Sequence, residues 1–166
     1  MYYVSPAAGR MQVLAQHPLV VVDYAHTPDA LEKALQALRP VAQARAGRLL
    51  VLFGCGGDRD PGKRPLMAQA AQRQADYVVV TADNPRTENL DTIMHHIREG
   101  LSEAVGPFDF VKDRAQAIEN LLARSAVNDV VLLAGKGHET TQLVGDQVLP
   151  FSDAEHALQA LAKVAS

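Results

Sequence analysis

Five short, nearly continuous apolar runs recur along this chain, and between them the apolar residues return every three or four positions. The runs are Leu19 to Val22, Leu49 to Phe53, Tyr77 to Val80, Phe108 to Val111 and Val130 to Leu133. Runs of that kind fit strands covered on both faces, whereas the longer periodic stretches fit helices with one buried stripe. Alternation of the two predicts βαβ units stacked into one α/β domain. The expected sheet has about six mainly parallel strands, one antiparallel edge strand and helices on both faces.

The helices mark their own ends. Thr27 before Pro28 reads as an N-cap followed by the first helical position, with Leu31, Ala34, Leu35 and Leu38 on one face until Pro40, which is expected to stop the run. Leu66, Met67, Ala70 and Ala71 mark a second helix; Leu90, Ile93, Met94, Ile97 and Leu101 mark a third, ending near Gly100. Asp113 with Gln116 opens a fourth that carries Ile118, Leu121 and Leu122. Ser152 with Glu155 forms a capping box for the last, whose expected inner face is Ala154, Leu158, Leu161 and Ala162. Gln147 to Phe151, returning after Gly145-Asp146, is the expected antiparallel edge strand. Met11 to Ala15 offers a hairpin with Leu19 to Val22, although His17-Pro18 is not a favoured turn sequence. Residues 1–9 carry no core pattern and read as a linker ahead of a single domain over 10–166.

Composition narrows the function. With 48% apolar and 21% charged residues the chain has the balance of a globular protein and not of a disordered one. A single cysteine forms no internal disulfide, no apolar run approaches the ~18 to 20 residues of a membrane span, and the N-terminus lacks signal-peptide features. A cytoplasmic location with no membrane partner is expected. Sixteen Lys plus Arg stand against nineteen Asp plus Glu without long blocks of either sign, and Trp is absent, so nucleic acid is not an expected partner.

Ligands of open parallel sheets bind outside the carboxyl ends of the strands, which directs attention to four loops. These are Asp23-Tyr24-Ala25-His26, residues 54–64, Asp83-Asn84-Pro85-Arg86 and Gly135-Lys136-Gly137-His138-Glu139. Gly57, Gly62 and Lys63 fit the spacing of a phosphate loop, but Arg64 stands where Ser or Thr would ligate magnesium, and Asp58 and Asp60 bring negative charge. Arg59, flanked by those two carboxylates, better suits a carboxylate ligand. Pro85 stiffens the exit from the third strand, so that Asn84 offers an amide and Arg86 a planar fork. The same residues also fit a turn closed by Asn84 with Arg86 in a surface ion pair. Glu139 supplies a carboxylate near the same mouth; guanidinium for carboxylate and carboxylate for ammonium together describe an amino acid. Adjacent His95 and His96 lack the i, i+4 spacing of a metal site, and Cys55 with His26 or His138 forms a nucleophile and base only through a geometry the sequence does not show.

At these loops the chain becomes recognisable. D-Y-A-H-T-P-D-A-L at 23 to 31, F-G-C-G-G-D-R-D-x-G-K-R-P at 53 to 65, D-N-P-R-T-E at 83 to 88 and A-G-K-G-H-E at 134 to 139 together resemble the C-terminal domain of the Mur ligases. Within that family they look like the members that add meso-diaminopimelate to UDP-N-acetylmuramoyl-L-alanyl-D-glutamate. The resemblance implies a Rossmann-like three-layer domain that closes over a central ATPase domain, and an ATP-dependent reaction in which the amine of diaminopimelate attacks an acyl phosphate.

By the same resemblance Arg59, Asp83, Asn84, Pro85, Arg86, Gly135 and Glu139 correspond to the diaminopimelate site, and Asp23, Tyr24 and His26 to the segment that meets ATP. D-N-P-R is the version associated with diaminopimelate, and lysine-adding relatives change it, notably at the arginine. The resemblance assigns no catalytic or metal-ligating residue to this stretch. ATP, Mg2+ and the UDP-N-acetylmuramoyl dipeptide are implied as cofactors and partner of the complete enzyme, with Mg2+ held by the central domain. Since no G-x-x-G-K-T loop occurs in the 166 residues, the chain alone is expected neither to hydrolyse ATP nor to make the peptide bond. A stand-alone module binding an amino acid or a nucleotide, or the same domain of a lysine-adding ligase, are the competing readings.

Overall fold

The computed structural model describes residues 11–165. The expected linker therefore falls outside the described residues. Six strands form the main sheet: β1 (Gln12–Gln16), β2 (Leu19–Asp23), β3 (Leu49–Phe53), β4 (Tyr77–Val80), β5 (Phe108–Phe110) and β6 (Val130–Ala134). Their order is β1-β2-β6-β3-β4-β5, parallel throughout except for the antiparallel β1–β2 pair. Every residue of β2, β3, β4 and β6 is buried, as continuous apolar runs between two helical layers should be.

Two apolar cores lie on opposite faces of the sheet. Helices α1 (Pro28–Ala44), α2 (Lys63–Gln74) and α3 (Leu90–Arg98) cover one, through Leu31, Leu35, Leu38, Met67, Ala71, Ile93 and Ile97. Helices α4 (Arg114–Arg124) and α5 (Asp153–Ala165) cover the other, through Ile118, Leu121, Leu122, Ala157 and Ala160. The caps act as their sequences suggest: Thr27 accepts from the Ala30 N–H, and Asp113 from the Gln116 N–H.

Four expectations change. The antiparallel edge of the main sheet is β1, not Gln147 to Phe151. The latter stretch supplies β8 (Gln147–Pro150), which pairs with β7 (Thr141–Val144) in a separate two-stranded sheet because a tight turn at Gly145-Asp146 satisfies both strands locally. Helix α1 also continues through Pro40 to Ala44. Pro40 and Gln36, whose carbonyl loses a partner there, are both exposed, where solvent can reach the freed carbonyl, while Ala42 still packs inside. Leu66 is exposed although its helix forms. In α5 the buried positions are Asp153, Ala157 and Ala160, with Leu158 half exposed, since α5 packs on α4 with small residues and an ion pair.

That ion pair fixes the carboxyl ends of two strands. The Asp153 and Arg114 side chains are fully buried, with Nε and Nη2 each 2.7 Å from a carboxylate oxygen. Arg114 also donates to the Ala82 and Ala134 carbonyls, at 2.9 and 3.1 Å. Burial opposes its charge, but the adjacent Asp153 carboxylate outweighs that and leaves the guanidinium more basic than usual. No helix among the described residues is long and apolar enough to cross a membrane.

Candidate functional site

Loops after β2, β3, β4 and β6, together with the start of α2, enclose a cleft of about 390 Å3. Tyr24, His26, Arg59, Asp83, Asn84, Arg86, Gly135 and Glu139 all line it. Asp23 and Pro85 do not. Asp23 uses both carboxylate oxygens on the backbone, accepting from the Met11 N–H at 2.8 Å and the Ala25 N–H at 2.9 Å, so it shapes the exit from β2. Pro85 borders a second cavity on the other side of its loop.

The loop carrying Asp83 to Arg86 is gripped from two sides. Toward β3, the Gly57 N–H donates to the Asn84 carbonyl at 2.8 Å and Arg86 Nη1 donates to the Gly57 carbonyl at 3.1 Å. A Cβ at Gly57 would stand 1.7 Å from the Pro85 carbonyl oxygen, so the approach requires glycine. From the other side the β7–β8 hairpin takes the Arg86 N–H onto the Leu143 carbonyl (3.0 Å) and sends the Gly145 N–H to the Arg86 carbonyl (2.6 Å). Gln142 Nε2 adds a bond to the Asp83 carbonyl. Arg86 has φ +54°, a left-handed conformation that costs a residue with a Cβ about 1 kcal/mol or more, and these flanking bonds hold it there.

Two buried cations, Arg64 in the cleft wall and Lys136 behind it, were assigned no role from the sequence. Lys136 is fully buried; its Nζ donates to Asn84 Oδ1 at 3.1 Å and to the Thr141 carbonyl at 2.8 Å, and lies 3.6 Å from both Asp83 Oδ1 and Glu139 Oε1. Asn84 Oδ1 also accepts from the Leu143 N–H, which settles the orientation of the amide. Arg64 is 1% exposed and donates to both carboxylate oxygens of Glu88 and to the Gly56 carbonyl. The visible signals were a lysine between two glycines, and an arginine where the phosphate-loop pattern breaks.

The charge pattern suits a zwitterion. Arg59, Lys63 and Arg86 line the cleft as cations, while Asp83 and Glu139 line it as carboxylates. An ammonium such as that of Lys136 has three donors; two go to Asn84 and Thr141, leaving one for two carboxylates. Asp83 Oδ1 accordingly remains buried without a hydrogen bond, an acceptor facing a missing donor. Asp58 is used on the neighbouring 83–88 segment and Asp60 within its own loop. Asp58 accepts from the Thr87 hydroxyl and N–H, which makes it more acidic than usual, and Asp60 accepts from the Gly62 N–H.

Cys55 lines the cleft, partly buried. Burial, helped by the Asp83 charge, pushes its thiol up to about 12. Tyr24 and His26 are exposed at the rim, their rings 4.7 Å apart edge to face, with His26 Nδ1 2.9 Å from the Tyr24 carbonyl oxygen. Among the described residues no three His, Cys, Asp or Glu side chains gather as a metal site.

The chain is 60% identical over 156 residues to UDP-N-acetylmuramoyl-L-alanyl-D-glutamate--2,6-diaminopimelate ligase of Pseudomonas aeruginosa, covering 93% of this chain and 31% of that protein. The ligase of the same name from Coxiella burnetii is 56% identical, with 92% and 31% covered. A solved structure of such a ligase matches with TM-score 0.87 and 40% identity over 96% of this chain and 32% of its own. A murein peptide ligase from Psychrobacter arcticus, 15% identical over 94% of this chain and 30% of its own, shares the fold with TM-score 0.63. The chain thus spans about a third of the length of the relatives it matches. The family model described as Mur ligase, glutamate ligase domain, matches residues 9–137, which takes in all four cleft-forming loops up to Gly137, and the chain belongs to that family.

Proposed function

We propose that this chain is the amino-acid-accepting domain of an ATP-dependent ligase that adds meso-diaminopimelate to UDP-N-acetylmuramoyl-L-alanyl-D-glutamate in cytoplasmic peptidoglycan synthesis. One observation carries the reading: Arg59 and Arg86 share a single cleft with Asp83 and Glu139 at the carboxyl ends of the strands. Diaminopimelate has an ammonium and a carboxylate at each end. One end is held with its carboxylate on the guanidinium groups and its ammonium on the cleft-facing side of Asp83 and Glu139, and the other end's amine is left to react at the mouth. The NH2 of Asn84 and the backbone beside Gly135, whose φ of +111° brings the chain close to the cleft, complete the polar wall.

Lysine lacks the second carboxylate. A partly buried Arg86 left without its anion costs roughly 1–3 kcal/mol, or about tenfold to hundredfold in discrimination. Tyr24 and His26 lie where a nucleotide edge would meet this domain on closure over ATP, and ATP activation of the D-glutamyl carboxylate is assigned to parts of the ligase outside this stretch. By itself the chain binds and orients the incoming amine and neither hydrolyses ATP nor forms the bond.

Calorimetric titration with meso-diaminopimelate and L-lysine tests this, on the chain and on the longer ligase to which we assign it, each with Arg86→Ala. The expected result is preference for meso-diaminopimelate that disappears with Arg86. Equal binding of the two amino acids by the longer ligase, or indifference to loss of Arg86, overturns it.

A further inference from the structure

Lys136 has 0% exposure, and lysines are almost never fully buried unless paired. All four groups around its Nζ belong to the cleft wall or to the hairpin that grips it. They are the Asn84 and Thr141 oxygens at hydrogen-bond distance and the Asp83 and Glu139 carboxylates at 3.6 Å. Asn84 Oδ1 passes the connection on to the Leu143 N–H, and the Leu143 carbonyl accepts from the Arg86 N–H. One side-chain nitrogen is thus three hydrogen bonds from the strained backbone of Arg86. The β6 ladder ends at Ala134, so none of the sheet's own hydrogen bonds passes through Lys136.

We infer that Lys136 is a positioning residue: its Nζ locks Asp83, Asn84 and Glu139 to the β7–β8 hairpin, and so sets both the ammonium-binding end of the cleft and the direction in which Arg86 points. For the ligand this rests on the amino-acid-binding reading above; for the geometry it does not. Without Nζ, Asp83 and Glu139 lose the cation 3.6 Å from each and keep only the more indirect attraction of Arg114, and Asn84 Oδ1 loses one of its two donors. The loop 83–86 and the hairpin then separate while the sheet persists.

The test compares the chain with its Lys136→Met and Lys136→Gln variants. Glutamine can still donate to Asn84 or Thr141 but carries no charge. Amide hydrogen exchange at Arg86, Leu143 and Gly145 is measured beside Val131 to Leu133 of β6, together with NMR shifts on addition of meso-diaminopimelate. Lys136→Met is expected to speed exchange at the three loop and hairpin amides about tenfold or more, leave the β6 amides as they were, and abolish the ligand shifts. Lys136→Gln is expected to fall between. Unchanged exchange at the three amides overturns the inference, as does global unfolding of both variants, which would place Lys136 among the residues the fold itself requires. Local loosening in the variant, with no response of the unmodified chain to meso-diaminopimelate, upholds the positioning role and counts against the ligand.

Discussion

Arg64 meets Glu88 end-on, Nη1 and Nη2 each 2.7 Å from one carboxylate oxygen, with the guanidinium buried and the carboxylate about a quarter exposed. The pair ties the start of α2 to the end of the D-N-P-R-T-E segment, and Glu88 also accepts from the Asp58 N–H, joining two of the four cleft loops. The Arg64 hydrogen bonds bring the Glu88 carboxyl from 4.5 to about 2. A carboxylate more acidic when folded contributes stability that is complete above its ordinary value and fades as pH falls toward the folded value. The Glu88 contribution should therefore decline between about pH 4.5 and pH 2. Glu88→Gln should cost about 3 kcal/mol at neutral pH, because Arg64 stays buried without its counter-charge. Urea denaturation across that pH range checks it: the gap between the two proteins should narrow toward pH 2, and a constant gap would show that the pair is not the cause.

Gly57→Ala should disturb the cleft more than the core. Its Cβ would sit 1.7 Å from the Pro85 carbonyl oxygen and 3.1 Å from the Glu88 Cβ, so the D-N-P-R backbone must move. Overpacking of this kind costs roughly 1–3 kcal/mol. A lowered melting temperature with NMR shifts concentrated at residues 83–88 is expected; an unaltered melting curve would mean the loop yields freely.

The Cys55 thiol should be inert in the native protein. With its ionisation pushed to about 12, thiolate is scarce at pH 8, and maleimide or a disulfide reagent should modify it rapidly only after unfolding in urea. Labelling at the same rate with and without urea would contradict the burial that raises it.

The legible part of this fold was whatever is decided locally. The buried strands show as apolar runs, and the capping of α1 and α4 by Thr27 and Asp113 follows from residues three positions apart. Eight of the ten expected ligand residues line one cleft, because the loops at one end of a parallel sheet converge whatever their sequence. What stayed hidden depends on partners far along the chain. The burial of Lys136 is set by Asn84, 52 residues away, and that of Arg64 by Glu88, 24 residues away. Thr141–Val144 showed no strand pattern because half-exposed residues on a small hairpin bury too little to impose one. Asp23 looks like a cleft residue in its motif, and only its two backbone partners reveal a carboxylate already spent.

The hairpin holds residue 86 through main-chain atoms alone, with the Leu143 carbonyl and the Gly145 amide as its two fasteners. Such a clasp is blind to side-chain identity. An exchange of the arginine would cost the loop its side-chain bond to the Gly57 carbonyl but leave both fasteners to the hairpin in place, so the group presented at this position can vary on a frame that stays put.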